Sequence, residues 1–200
     1  KEITKEITKL VWIEEDTAIL NDRIRLPIAP MIGVIGVAPS GEPIETGTPG
    51  DHGSNMDCKH IAKGSILYLP VEAPGALLAL GDLHAVMGDG EVAACGVEIP
   101  GEVDVRVSVL KGVQLPTPFL VEGGRLMTIA SAETLDAAVS EATRRMHHFL
   151  QSRLGIETHE AGMLLSAAAD LRICQVVDPL KTARMELPVW IAERYGFCLD

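Results

Sequence analysis

The chain has 200 residues, with 17 Lys and Arg against 28 Asp and Glu and a formal net charge of −11. At 47% apolar and 22% charged residues, it is too apolar for a disordered chain. The acidic balance argues against nucleic acid as a partner, because phosphate binding needs clustered Lys and Arg, and 4% aromatics offer few surfaces for stacking bases.

A chain of this length fits one domain and buries about two-thirds of its unfolded surface. No apolar run approaches the roughly 18 residues that span a bilayer. The opening KEITKEITKL lacks the apolar centre of a signal peptide. No membrane partner is expected, and the expected location is cytoplasmic. Cys58, Cys95, Cys174 and Cys198 form no C-x-x-C pair and are expected as small buried apolar residues rather than disulfides.

The first residues are ambiguous. Ile3, Ile7 and Leu10 have helical spacing, whereas Val11, Trp12 and Ile13 suit a strand. From 24 to 115, short apolar runs punctuated by Gly and Pro predict many short strands, as in a sandwich or barrel. Val103, Val105, Val107 and Val109 alternate with Asp104, Arg106 and Ser108, the clearest half-buried strand pattern in the chain. Asp89-Gly90 reads as a hairpin turn.

The period then changes. Leu135, Ala138, Val139, Ala142, Met146, Phe149 and Leu150 predict an amphipathic helix, with Ser131 as N-cap and Gly155 as stop. A second helix is expected after Thr158, then a buried strand over 171–177, while 187–197 has mixed character. The fold class expected is α+β: one domain over 1–200, mainly β over 1–120 and α+β over 130–200, with the helices packed on the sheets.

Two segments gather polar residues among glycines: PGDHGSNMD at 49–57 and GDLHAVMGDGE at 81–91. On an extended backbone, residues i and i+2 share a face, so Asp82 and His84 point the same way. Such a pair suits a zinc-like cation or an orienting carboxylate–imidazole pair for proton transfer. Glu91, placed after the turn and starting the next strand, suits a general base. Glu98 lies seven residues on, so a regular strand would turn the two glutamates to opposite faces unless a bulge near Gly96 intervened.

Each residue also has an ordinary structural explanation. Asp89 serves a turn, His84 a hydrogen-bonded core, and 49–57 an Asx-rich loop. His147 and His148 are adjacent on the helix and cannot chelate one ion together. His60, His159 and Cys58 read as structural. G-x-S-x-G, H-E-x-x-H and P-loop motifs are missing.

The strings PMIGVIGVAP (30–39), PGDHGSNMD (49–57), GSILYLPV (64–71), GALLALGDLHAVMGDGEV (75–92) and LSAAADLRICQVVD (165–178) resemble the acetamidase/formamidase family in order and spacing, over about residues 22 to 190. The chain departs from that pattern at Ser54, where the family usually has a glycine. The β-rich portion that in the family precedes PMIGV is expected to be absent, as in a shortened relative, a fragment or half of a split assembly.

The resemblance implies a jelly-roll-like β-sandwich with added α+β elements, usually homo-oligomeric. It implies hydrolysis of a short amide, of formamide or acetamide type, to carboxylate and ammonia. Within the matching segments, a divalent cation, zinc or else calcium, is expected on Asp57, Asp82 and His84. Glu91 or Glu98 is expected to move the water proton, and His52 or Asn55 to stabilise the oxyanion. The alternatives are a non-catalytic metal- or ligand-binding relative, or one subunit of a split amidase completed by a separate N-terminal partner chain.

Overall fold

The computed structural model describes residues 5–198. Ile3, part of the expected N-terminal helical spacing, lies outside them. The strand alternative holds for the next stretch: β1 (Trp12–Glu14), β2 (Thr17–Ile19) and β3 (Arg25–Pro27) form a small antiparallel meander.

Two larger antiparallel sheets carry the rest. β4 (Met31–Gly36), β5 (Gly53–Asn55), β7 (Ala79–Val86) and β8 (Val97–Glu98) pair in the order β5-β4-β7-β8. β6 (Ile66–Tyr68), β9 (Phe119–Glu122), β10 (Arg125–Ala132), β11 (Asp170–Gln175) and β12 (Lys181–Pro188) pair as β11-β12-β10-β9-β6. The helices are α1 (Leu135–Leu154), α2 (Thr158–Ala168) and α3 (Val189–Arg194). The class is α+β, mostly β. No described helix is long and apolar enough to cross a membrane.

Side-chain alternation on β10 explains the layering. Leu126 and Ala130 join Ala142, Met146, Phe149 and Leu150 of α1 in one core. Met127 and Ile129, on the other face, meet Ile35 of β4 and Met56, Cys58 and Ile61 of the segment that follows β5. The five-stranded sheet is therefore a central layer, apolar on both faces. Phe149 lies at the heart of the helical core, 5.1 Å between ring centroids from both Phe119 and Phe197.

The first helix begins later than its expected cap. Thr134 accepts from the Ala137 amide at 3.2 Å, whereas Ser131 sits in β10 and hydrogen-bonds Thr182 at 2.9 Å. Gly155, at φ 69°, ends it as expected, because a left-handed residue there lets its amide reach the Gln151 carbonyl. The strand expected as buried, β11, is half-buried, since it is the edge of its sheet. Cys58 and Cys174 are buried and free, but Cys95 and Cys198 are exposed, contrary to expectation.

Two β expectations fail. Residues 103–109 form no strand: alternation records amphipathic character, and among the described residues no neighbour pairs with this backbone. Asp89-Gly90 is no two-residue hairpin. It lies inside the long β7–β8 connection, and Gly90 uses φ 100° to bridge Gln175 of the other sheet.

Phe149→Ala is expected to destabilise the protein by about 3–5 kcal/mol, from lost burial and the cavity left between the Phe119 and Phe197 rings. Urea unfolding of the two chains measures this.

Candidate metal and active site

The ends of several elements meet between the two large sheets. β7 supplies Asp82 and His84, and β8 supplies Glu98. Asp57 follows β5, and Glu91 comes from the β7–β8 connection. His84 Nε2 lies 3.4 Å from Asp82 Oδ1 and 3.2 Å from Glu98 Oε1. The i, i+2 expectation for Asp82 and His84 therefore holds.

Ligand atoms of Asp57, Asp82 and His84 all lie within 4.8 Å of one another, as do those of His84, Glu91 and Glu98. The expected opposition of Glu91 and Glu98 fails, because Glu91 is in a turn, not a strand. It sits at φ 43°, and its carbonyl accepts the Ala94 amide at 2.8 Å.

Backbone conformation aims the carboxylates. Asp57, Asp82 and Glu91 have φ of 43°, 56° and 43°, a left-handed region that is costly for residues with a Cβ. Gly33 of β4 makes the room: a Cβ there would fall 2.5 Å from both Asp57 Oδ1 and Asp82 Oδ2. Gly96 does the same over the imidazole, with its notional Cβ 2.7 Å from His84 Nδ1. Neither glycine is marked out by local sequence, because what needs the space is distant in the chain.

Charge crowding is the dominant electrostatic fact. Burial, then the charge of Glu91, pushes the Asp57 carboxyl up to about 8. Burial likewise raises Glu91 to about 7, with Asp178, Asp82 and Glu98 adding to the rise against a hydrogen bond shared with Asp57. Glu98 and Asp178 are also raised, burial first. Asp57 Oδ1 and His84 Nδ1 are buried without a hydrogen-bond partner. Clustered oxygens and an imidazole, unsatisfied and mutually repelling, fit a divalent cation.

Asp178, in the β11–β12 turn, is a member that sequence reasoning missed. It accepts from Asn55 Nδ2 at 3.1 Å across 123 positions of chain. Its only sequence signal is its place at the end of the 165–178 string. Asn55 thus stands at the rim, its own Oδ1 buried and unpartnered. His52 is buried but is not brought to the group. Burial lowers its pKa, and the charges that oppose this are Asp51 and Glu72.

Asp89 is held rather than turned outward. Arg184, buried on β12, donates to both of its carboxylate oxygens at 2.9 Å. Burial would raise the Asp89 pKa, but Arg184 and Lys59 outweigh it and hold the carboxyl below its ordinary value. The remaining histidines lie elsewhere. His60 Nδ1 is 2.7 Å from Glu122, His147 is bonded to the Thr158 carbonyl, His148 is exposed, and His159 opens α2.

Asp57 has an ordinary pKa of 3.8 against about 8 in the folded protein. The folded chain therefore binds this proton more tightly between those values. The stability it contributes is present below about pH 4 and lost as pH rises through 8. With chelator present, the melting temperature of the wild type should fall relative to Asp57→Asn between pH 5 and 8. A divalent cation should restore the wild type alone. A difference that ignores pH would refute this account.

Residues 41–194 match the model of the Acetamidase/Formamidase family. The chain is similar to an acetamidase of Bacillus halodurans of known structure. The two share 56% identity at a TM-score of 0.93, over 94% of this chain and 64% of that one. It is similar to a predicted acetamidase/formamidase of Thermoanaerobacter tengcongensis, at 49% identity and a TM-score of 0.92, over 94% and 63%. An acetamidase of Mycolicibacterium smegmatis is 35% identical over 115 residues, 50% of this chain and 28% of that protein. The chain thus spans less than two thirds of the length of these relatives.

Proposed function

Because the chain belongs to the acetamidase/formamidase family, we propose that it hydrolyses a short aliphatic amide, of formamide or acetamide type, to carboxylate and ammonia. The observation that carries this reading is the convergence of buried Asp57, His84 and Glu91 with the more exposed Asp82 and Glu98. The two face-to-face sheets support a jelly-roll-like reading of the sandwich. The family supports a small-molecule substrate and a cytoplasmic location.

Asp57, Asp82 and His84 would hold the cation. One imidazole and two carboxylates are a donor set that suits zinc, and the surplus of carboxylate oxygens makes calcium the alternative. When bound, such a cation polarises the amide carbonyl and acidifies water. Glu91 takes the water proton and passes it to the departing nitrogen, and its position near neutrality suits both transfers. Glu98, within 4.8 Å of the Glu91 and His84 ligand atoms, would be the alternative carrier of that proton. Asn55, an amide at the rim, would stabilise the oxyanion, and His52 would support the 49–57 loop.

The test is ammonia release from formamide, acetamide and propionamide before and after chelator, with metal content measured alongside. Activity should vanish with the metal and return with it. Asp82→Asn should lose both metal and rate. An Asp82→Asn chain with full metal content and full rate would sink the assignment. Bound metal without turnover on any of the three amides would favour the non-catalytic reading.

Glu91→Gln should keep its metal and lose about 10²–10⁴-fold in kcat, as removal of a general base does. The rise of wild-type rate with pH should disappear with it.

A further inference from the structure

Asp178 belongs to the carboxylate group, yet it is not among the residues that would hold the cation or move the proton. The turn that carries it is built around one side chain. Gln175, fully buried, accepts from the Val177 and Asp178 amides at 2.8 and 3.0 Å through Oε1. Its Nε2 donates to the Leu180 carbonyl at 2.7 Å and to Thr182 Oγ1 at 3.0 Å. Lys181 Nζ donates to the Asp178 carbonyl. Both protons and the oxygen of the Gln175 carboxamide are used, so the β11–β12 turn is held from inside and Asp178 with it.

Asp178 in turn orients Asn55, which lies on β5 at the far side of the site. Its carboxylate accepts from Asn55 Nδ2 at 3.1 Å. A carboxylate accepts and does not donate, so it admits only one of the two orientations of a carboxamide. Half a turn of the Asn55 side chain would set oxygen against oxygen. The orientation present has a cost, because it leaves Asn55 Oδ1 buried without a partner. The bond to Asp178 outweighs that cost and fixes the direction of the second proton on Nδ2.

We propose that Asp178 is a positioning residue: by accepting one proton of Asn55 Nδ2, it fixes the carboxamide so that the other proton meets the oxyanion. This role rests on the amidase reading and on the place of Asn55 in it.

Two readouts test it. In heteronuclear NMR of nitrogen-labelled protein, the Asn55 side-chain signals are identified by their loss in Asn55→Asp. In the wild type they should show two well-separated protons, one of them slow to exchange with solvent. In Asp178→Ala the separation and the protection should both be lost. In ammonia release from formamide and acetamide, Asp178→Ala should lower kcat about 10–100-fold, the range that loss of an orienting partner costs, with KM and metal content unchanged. Asp178→Asn, which keeps an oxygen acceptor, should recover most of the rate and of the protection. Asn55 signals that stay the same in Asp178→Ala overturn the proposal. So does an unchanged kcat where those signals have changed, because the bond is then structural only. A wild type that releases ammonia from no amide fails the amidase reading itself, whereas an active wild type with either of those results fails the role of Asp178 alone.

Discussion

The Arg184 guanidinium holds the two large sheets in one arrangement. It is 1% exposed, and its Nη atoms grip both oxygens of Asp89 while Nε donates to Glu186 at 2.7 Å. Nη1 also donates to the Ile173 carbonyl at 2.8 Å. A charge buried this deeply is tolerable only with its partners in place, and loss of one partner typically costs about 3–5 kcal/mol. Because Asp89 belongs to the β7–β8 connection and Arg184 to β12, the pair fixes that connection against the central sheet. The Gly90 amide then reaches the Cys174 carbonyl at 2.8 Å, and the Gly90 carbonyl accepts from Val176 at 3.0 Å. Glu91, the next residue, is delivered to the carboxylate cluster.

The cluster itself opposes folding in the absence of a cation. Three of its carboxylates sit on left-handed backbone, and Asp57, Glu91, Glu98 and Asp178 are all harder to ionise than usual. Strain and repulsion of this kind persist only where surrounding structure over-determines the conformation. Here the β4 ladder, the Asn55–Asp178 bond and the Arg184–Asp89 pair do so. A bound cation would turn the same repulsion into attraction, which links metal affinity to fold stability.

The chain order of the helices was legible in the residues, because a period of 3.6 over 135–150 and a glycine at 155 are local signals. The meeting of Asp82 with His84 was legible in their i, i+2 spacing, although Asp82 leaves the extended conformation, at φ 56°, to make it. The valine alternation at 103–109 shows the limit: amphipathic spacing states which face is apolar, not what covers it. Ser131 shows another, because a serine near a helix start serves as cap only if the chain has already left the preceding strand. Asp89-Gly90 has turn chemistry, and a buried arginine 95 positions away claims it instead.

What the sequence by itself determined is the α+β class, the two long helices, the family resemblance and the two polar loops that carry the chemistry. All of these rest on short spacings or contiguous strings. Only the tertiary structure decided which carboxylates share one site. It joined Asp178 to the group, set His52 apart, brought Glu91 beside Glu98, and required glycine at 33 and 96. Those outcomes depend on two sheets meeting face to face across a core, and no local spacing encodes the distance between side chains that the chain brings together from more than a hundred residues apart.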